Sequence, residues 1–103
     1  VSGPEPVFDE VVHAPYRLRI CVLLAATDTA EFSLLREELQ VSDSVLSKHL
    51  KVLREAKYLT MGKEPAERAP RRTYVSLTTR GRKALDGHLA ELRRLAALAA
   101  PED

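Results

Sequence analysis

The chain has no tryptophan, three tyrosines and two phenylalanines, so its core must be assembled from Leu, Val and Ala. That favours packed helices over a β-sandwich. A single cysteine, Cys21, excludes an intrachain disulfide and fits a reducing compartment. It lies in the apolar run Ile20 to Ala26, where a thiol serves as a small hydrophobe. His13, His49 and His88 are scattered, and without clustered ligands no metal is expected. No glycine-rich phosphate loop occurs, no histidine stands beside a plausible nucleophile, and the paired acids Glu37 and Glu38 belong to an outward helix face. Neither catalysis nor a cofactor is therefore expected. The longest apolar run is far short of a bilayer span and no signal peptide is evident, so a soluble cytoplasmic protein without membrane contact is expected.

What is present is charge, unevenly placed. The 103 residues suit one domain, and the formal net charge is only +1. Lys48, Lys51, Arg54, Lys57, Lys63, Arg68, Arg71, Arg72, Arg80, Arg82 and Lys83 nevertheless crowd residues 48–83, while the first forty residues and the last few hold most of the carboxylates. One face of a nearly neutral molecule is thus expected to be basic.

The stretch Val41 to Leu59, V-S-D-S-V-L-S-K-H-L-K-V-L-R-E-A-K-Y-L, organises the rest. Ser42 is a good helix N-cap, and Asp43 adds negative charge at the positive end of the dipole. Leu46, Leu50 and Leu53 recur at spacings of four and three, making a stripe that must be buried. Ser44, Ser47, Lys48 and Lys51 lie opposite. Small hydroxyls that permit close approach, beside cations that meet phosphates, suit the major groove of double-stranded DNA.

Before this stretch, Val7, Phe8, Val11 and Val12 predict a short amphipathic helix over 7–12, with an apolar face available to a partner subunit. His13-Ala14-Pro15 breaks it. A second helix is predicted from Pro15 to Ala26, with Leu18, Cys21, Val22, Leu24 and Ala25 inward and Arg17 and Arg19 in solvent. Thr27 to Ala30 reads as a turn and Glu31-Phe32 as a brief extended piece. Ser33 is placed to cap a helix over Leu34 to Leu39. With only Gln40 and Val41 before Ser42, residues 33–56 form a helix-turn-helix, although Gln40 stands where a glycine is usual. Tyr58 to Glu64 and Arg71 to Leu77 are rich in strand formers and flank a loop bracketed by Pro65 and Pro70. Residues 58–77 therefore read as a hairpin, a wing with Lys63, Arg68, Arg71 and Arg72 at or near its tip. Thr78 and Thr79 cap a long helix over 79–99, in which Leu85, Leu92 and Ala99 repeat at seven with Leu89 and Leu95 between them. So much apolar surface on a terminal helix predicts a homodimer.

The expected fold is mainly α with a small β-hairpin, a winged helix-turn-helix with a terminal dimerisation helix. S-x-S-x-L-S-K-H-L-K-x-L and T-Y-V-S-L-T-x-x-G-R are the most specific pieces of a pattern that, from about Phe8 to Leu92, resembles the small winged-helix transcription regulators between the MarR and ArsR families. The resemblance implies a homodimeric regulator, a repressor or activator, acting on DNA. It implies groove-facing positions at Ser42, Ser44, Val45, Ser47, Lys48 and Lys51, and wing positions at Arg68, Arg71 and Arg72. It also implies a small-molecule effector of unknown identity, bound among apolar residues of the first and last helices. His49, beside Lys48, is left with two roles, a phosphate contact or packing beneath the groove face. A homodimeric repressor on an inverted-repeat operator is expected. The competing reading, a winged helix used only for protein contact, would need an apolar rather than a cationic exposed face.

Overall fold

The computed structural model describes residues 3–63 and 72–101. Among these residues, five helices and three strands follow one another as α1 (Glu10–His13), α2 (Pro15–Thr27), β1 (Thr29–Glu31), α3 (Phe32–Leu39), α4 (Asp43–Glu55), β2 (Leu59–Lys63), β3 (Thr73–Leu77) and α5 (Thr79–Ala99). The expected mainly helical fold with a hairpin is the one observed, with an addition. β1 joins the hairpin, giving a three-stranded antiparallel sheet in the order β1-β3-β2. Thr-Ala-Glu is too short to show strand periodicity, and its register, Ala30 opposite Val75, depends on a partner far along the chain. This piece starts two residues and ends one residue earlier than expected, so helix α3 starts at Phe32 with Glu31 as its N-cap and no side-chain cap. Ser33 is therefore inside the helix.

The core is built as the composition requires, from Val12, Ile20, Cys21, Leu24, Leu35, Leu39, Leu46, Leu50, Leu53, Leu59, Val75 and Leu85, all buried. Two expectations for α2 are corrected. Ile20 is fully buried whereas Val22 is 43% exposed, because α2 is apolar nearly all round and its neighbours, not its periodicity, choose the inward side. Arg17 is half-buried and donates through Nε to the Val11 carbonyl. Cys21 is sealed in, and burial first, then the Asp9 carboxylate, pushes its thiol up to about 12.

Helices α3 and α4 are both followed within two residues by a non-glycine residue with positive φ, Gln40 at 54° and Lys57 at 66°. In each case the amide of the next residue reaches back across the last turn, Val41 to Arg36 and Tyr58 to Leu53, the bond that closes a left-handed helix stop. The turn of the helix-turn-helix is therefore made without glycine. The second stop delivers the chain to α5. Thr78 donates its amide to Tyr58 and its hydroxyl to the Lys57 carbonyl, and accepts from the Gly81 amide.

The expected helix over 7–12 is only Glu10–His13, capped by Asp9, whose carboxylate accepts from the Val12 amide at 3.0 Å. Val7 and Phe8 run alongside α5 instead, the Val7 amide donating to the Gly87 carbonyl at 3.0 Å. Val12 and Leu85 were expected at a subunit interface, and the structure places both in the protomer's own core, at 0% and 2% exposure. Helical spacing marks an apolar face without naming what covers it.

Candidate nucleic-acid interface

Helix α4 opens on Ser42, whose hydroxyl accepts from the Val45 amide at 3.2 Å. Asp43, in its first turn, pairs with Arg36 of α3 at 2.7 Å, which neutralises the one carboxylate at this end of the helix. With Leu46, Leu50 and Leu53 turned inward, the ~100° advance per residue points Ser44, Lys48 and Lys51 directly away from the core. Ser42, Ser44, Val45, Ser47, Lys48 and Lys51 are all exposed. One flank carries Val45 and Val52, each 36% exposed. The other faces β2, where Ser47, Leu50, Lys51, Arg54 and Met61 line a notch of about 260 Å³.

Arg54 is a cation on this side that the sequence reading counted only among the basic crowd. It lies over Met61, its Nη1 3.8 Å from the sulfur. Its spacing of seven from Ser47 and three from Lys51 was the available signal.

His49 is turned the other way. Its ring lies 5.5 Å from that of Tyr16, and its Nδ1 is 3.3 Å from Nη1 of Arg17. Partial burial, then Arg17 and Lys48, hold the imidazole below its ordinary value. Of the two roles left to it, packing against α2 has the contacts, and a neutral ring brings no charge to a phosphate.

In the wing, Lys63 is exposed at the end of β2, opposite Thr73. Arg72 reaches across to β1, with Nε 3.5 Å from a Glu31 oxygen. Arg68 and Arg71 lie outside the described residues. Among the described residues no group of three or more His, Cys, Asp or Glu could hold a metal ion, and no helix is long and apolar enough to cross a membrane.

Further apolar surface lies at the end of α5. Leu92 is half-buried, Leu95 and Leu98 are 41% and 72% exposed, and Ala99 is exposed. Leu89 and Val11 are half-buried, while Val7 and Phe8 are 57% and 43% exposed. Between the N-terminal segment and α5 lies a cavity of about 280 Å³ bordered by Val7, Tyr58, Arg80, Lys83 and Gly87.

Comparison with known proteins agrees with this geometry. A family model described as "Winged helix DNA-binding domain" matches residues 16–96. An uncharacterized protein of Methanocaldococcus jannaschii is 30% identical over 89 residues, 86% of this chain and 91% of that one. Among solved structures, a transcriptional regulator homologue from Pyrococcus horikoshii OT3 superposes with a TM-score of 0.84 at 24% identity, covering 90% of this chain and 91% of the other. A "Possible transcriptional regulator for arsenical resistance" is 32% identical with a TM-score of 0.65, over 90% and 95% of the two chains. The chain belongs to the winged helix DNA-binding domain family, and its structure is similar to those of small transcriptional regulators of the MarR/ArsR-like type.

Proposed function

We propose that the chain is a homodimeric repressor that reads an inverted-repeat operator with α4 and blocks transcription by occupying it. The observation that carries this reading is the outward side of α4, where Ser44, Ser47, Lys48 and Lys51 stand exposed above a buried leucine stripe. Hydroxyls at Ser42, Ser44 and Ser47 serve base edges and nearby phosphates, and the exposed Val45 suits a thymine methyl. Lys48, Lys51, Arg54 and Lys63 meet phosphates, as do Arg68 and Arg71 of the wing. A second copy would cover Leu95, Leu98 and Ala99 of α5 together with Val7 and Phe8. Two α4 helices related by a two-fold axis then fall about one turn of DNA apart, roughly 34 Å. The cavity beside Tyr58 and Gly87, between the N-terminal segment and α5, is where a small effector would bias that spacing. As a pure protein-contact module the face would need more apolar area than Val45 and Val52 supply.

Selection of bound duplexes from random DNA tests the reading, with an inverted repeat expected. On the selected duplex, Lys48→Ala and Lys51→Ala should each lower the slope of log affinity against log salt by about 0.9 and weaken all sequences alike. Ser44→Ala and Ser47→Ala should change base preference. Uniform loss across sequences from the serine variants would remove them from base reading. Failure to select any duplex would remove the function.

A further inference from the structure

The N-terminal segment is held to α5 by a run of hydrogen bonds whose direction leaves no room for an added proton. His88, on α5, is fully buried. Its Nδ1 lies 3.0 Å from the Asp9 amide, and an amide can only donate, so Nδ1 accepts and the ring hydrogen is on Nε2. That Nε2 lies 3.0 Å from Nδ1 of His13, which must therefore accept in turn. Phe8 closes the cluster, its ring 4.7 Å from each imidazole. A proton on Nδ1 of His88 would face the Asp9 N–H, and one on Nδ1 of His13 would face the His88 N–H. Either addition replaces a hydrogen bond by two opposed donors.

The groups facing the pair do not offset this. The Asp9 carboxylate already accepts from the Val12 amide and the Tyr58 hydroxyl. Glu91, three residues along α5, is held by Nε and Nη2 of Arg94 at 2.7 and 2.8 Å. From α2, the Arg17 guanidinium bonds the Val11 carbonyl. The Tyr58 hydroxyl and the Cys21 thiol, both pushed up to about 12, stay neutral. Burial first, and His13 second, hold the His88 imidazole below its ordinary value despite Asp9 and Glu91.

The other side of α1 leads to the reading helix. Arg17 spans from the Val11 carbonyl to Nδ1 of His49, on the flank of α4. We propose that Asp9, His13 and His88 form a proton-sensitive latch: on gaining a proton, α1 releases α5, the Arg17 tie to His49 slackens, and DNA binding weakens in acid. The last step rests on the DNA-binding reading above.

A released histidine titrates near 6.5, so between pH 8 and pH 5.5 the released population should rise, by at most about tenfold, through His88 alone. Two measurements read it. Hydrogen-exchange protection of the Val7 and Asp9 amides should fall by the same factor over that range and stay level in His88→Asn, which keeps an acceptor near the Nδ1 position without titrating. Fluorescence anisotropy with a labelled duplex selected at pH 8 should show affinity falling in parallel at fixed ionic strength, with the fall removed in His88→Asn and reduced in His13→Asn. Protection that is level from pH 8 to 5.5 in the wild type, or that falls equally in His88→Asn, overturns the latch. An intact latch with pH-independent DNA affinity overturns the coupling through Arg17. Absence of binding to any duplex at pH 8 overturns the DNA reading, and the amide readout then decides the latch by itself. If His88→Asn fails to fold, a wild-type ring titration of His88 that does not coincide with the loss of protection overturns the proposal.

Discussion

Gly81→Ala provides a stringent test of how the wing and α5 are joined. The residue lies in the first turn of α5, where its amide bonds the Thr78 hydroxyl at 2.9 Å. A Cβ there would lie 2.1 Å from the Tyr58 carbonyl oxygen and 2.9 Å from Leu77 Cδ1. The oxygen is backbone and already accepts from the Thr78 amide at 2.9 Å, so it cannot rotate away. Ordinary contact begins at 3.4 Å, and opening that gap moves the helix stop at Lys57 away from α5. Helix propensity favours alanine by about 1 kcal/mol. Against it stand an overpacking cost of about 1–3 kcal/mol and strain or loss of the Tyr58–Thr78 bond, about 1–3 kcal/mol if the carbonyl is left unpaired. The net expectation is destabilisation by about 1–5 kcal/mol, which for a chain this size lowers Tm by roughly 5–25 °C. Gly62→Ala, with nothing within 4 Å, is the control and should change stability by less than about 0.5 kcal/mol. Thermal and urea melts of the two variants decide the matter. A Gly81→Ala protein melting within about 2 °C of wild type would refute the tight junction and the packing of α5 derived from it.

Gln40→Gly and Lys57→Gly should each stabilise by about 0.5–1 kcal/mol, since each replaces a side chain at positive φ with the residue that tolerates it; a urea midpoint that falls would contradict this. Leu98→Glu, at a position 72% exposed, should leave the melt of the protomer nearly unchanged while moving the sedimenting species from dimer to monomer, and an unchanged sedimentation coefficient would exclude the α5 tip from the interface. Both His88 and His49 are held below their ordinary values in the fold, so the unfolded chain binds more protons as pH falls through about 6.5. Stability should therefore be fully present above that pH and decline below it, toward the lower folded values. A melting temperature that rises from pH 7.5 to 5.5 would reverse the assignment.

The parts legible in the sequence were those encoded within a turn or two of chain. Leu46, Leu50 and Leu53 at helical spacing required a buried stripe, and Ser42 and Thr78 marked the starts of α4 and α5. The alternating T-Y-V-S-L marked a strand, and the leucine stripe by itself placed the cations of α4 on the outward side. Contacts between distant residues carried no such signal. The bond between Asp9 and His88 joins residues 79 apart, and neither local pattern announces it. For the same reason the burial of Val12, Leu85 and Arg17, the pairing of β1 with β3, and the turning of His49 toward α2 were settled only when helices and sheet came together. Periodicity specifies which side of an element is apolar, because that follows from backbone geometry. Which neighbour covers that side, and which polar atoms find partners there, follows from close packing of the whole chain.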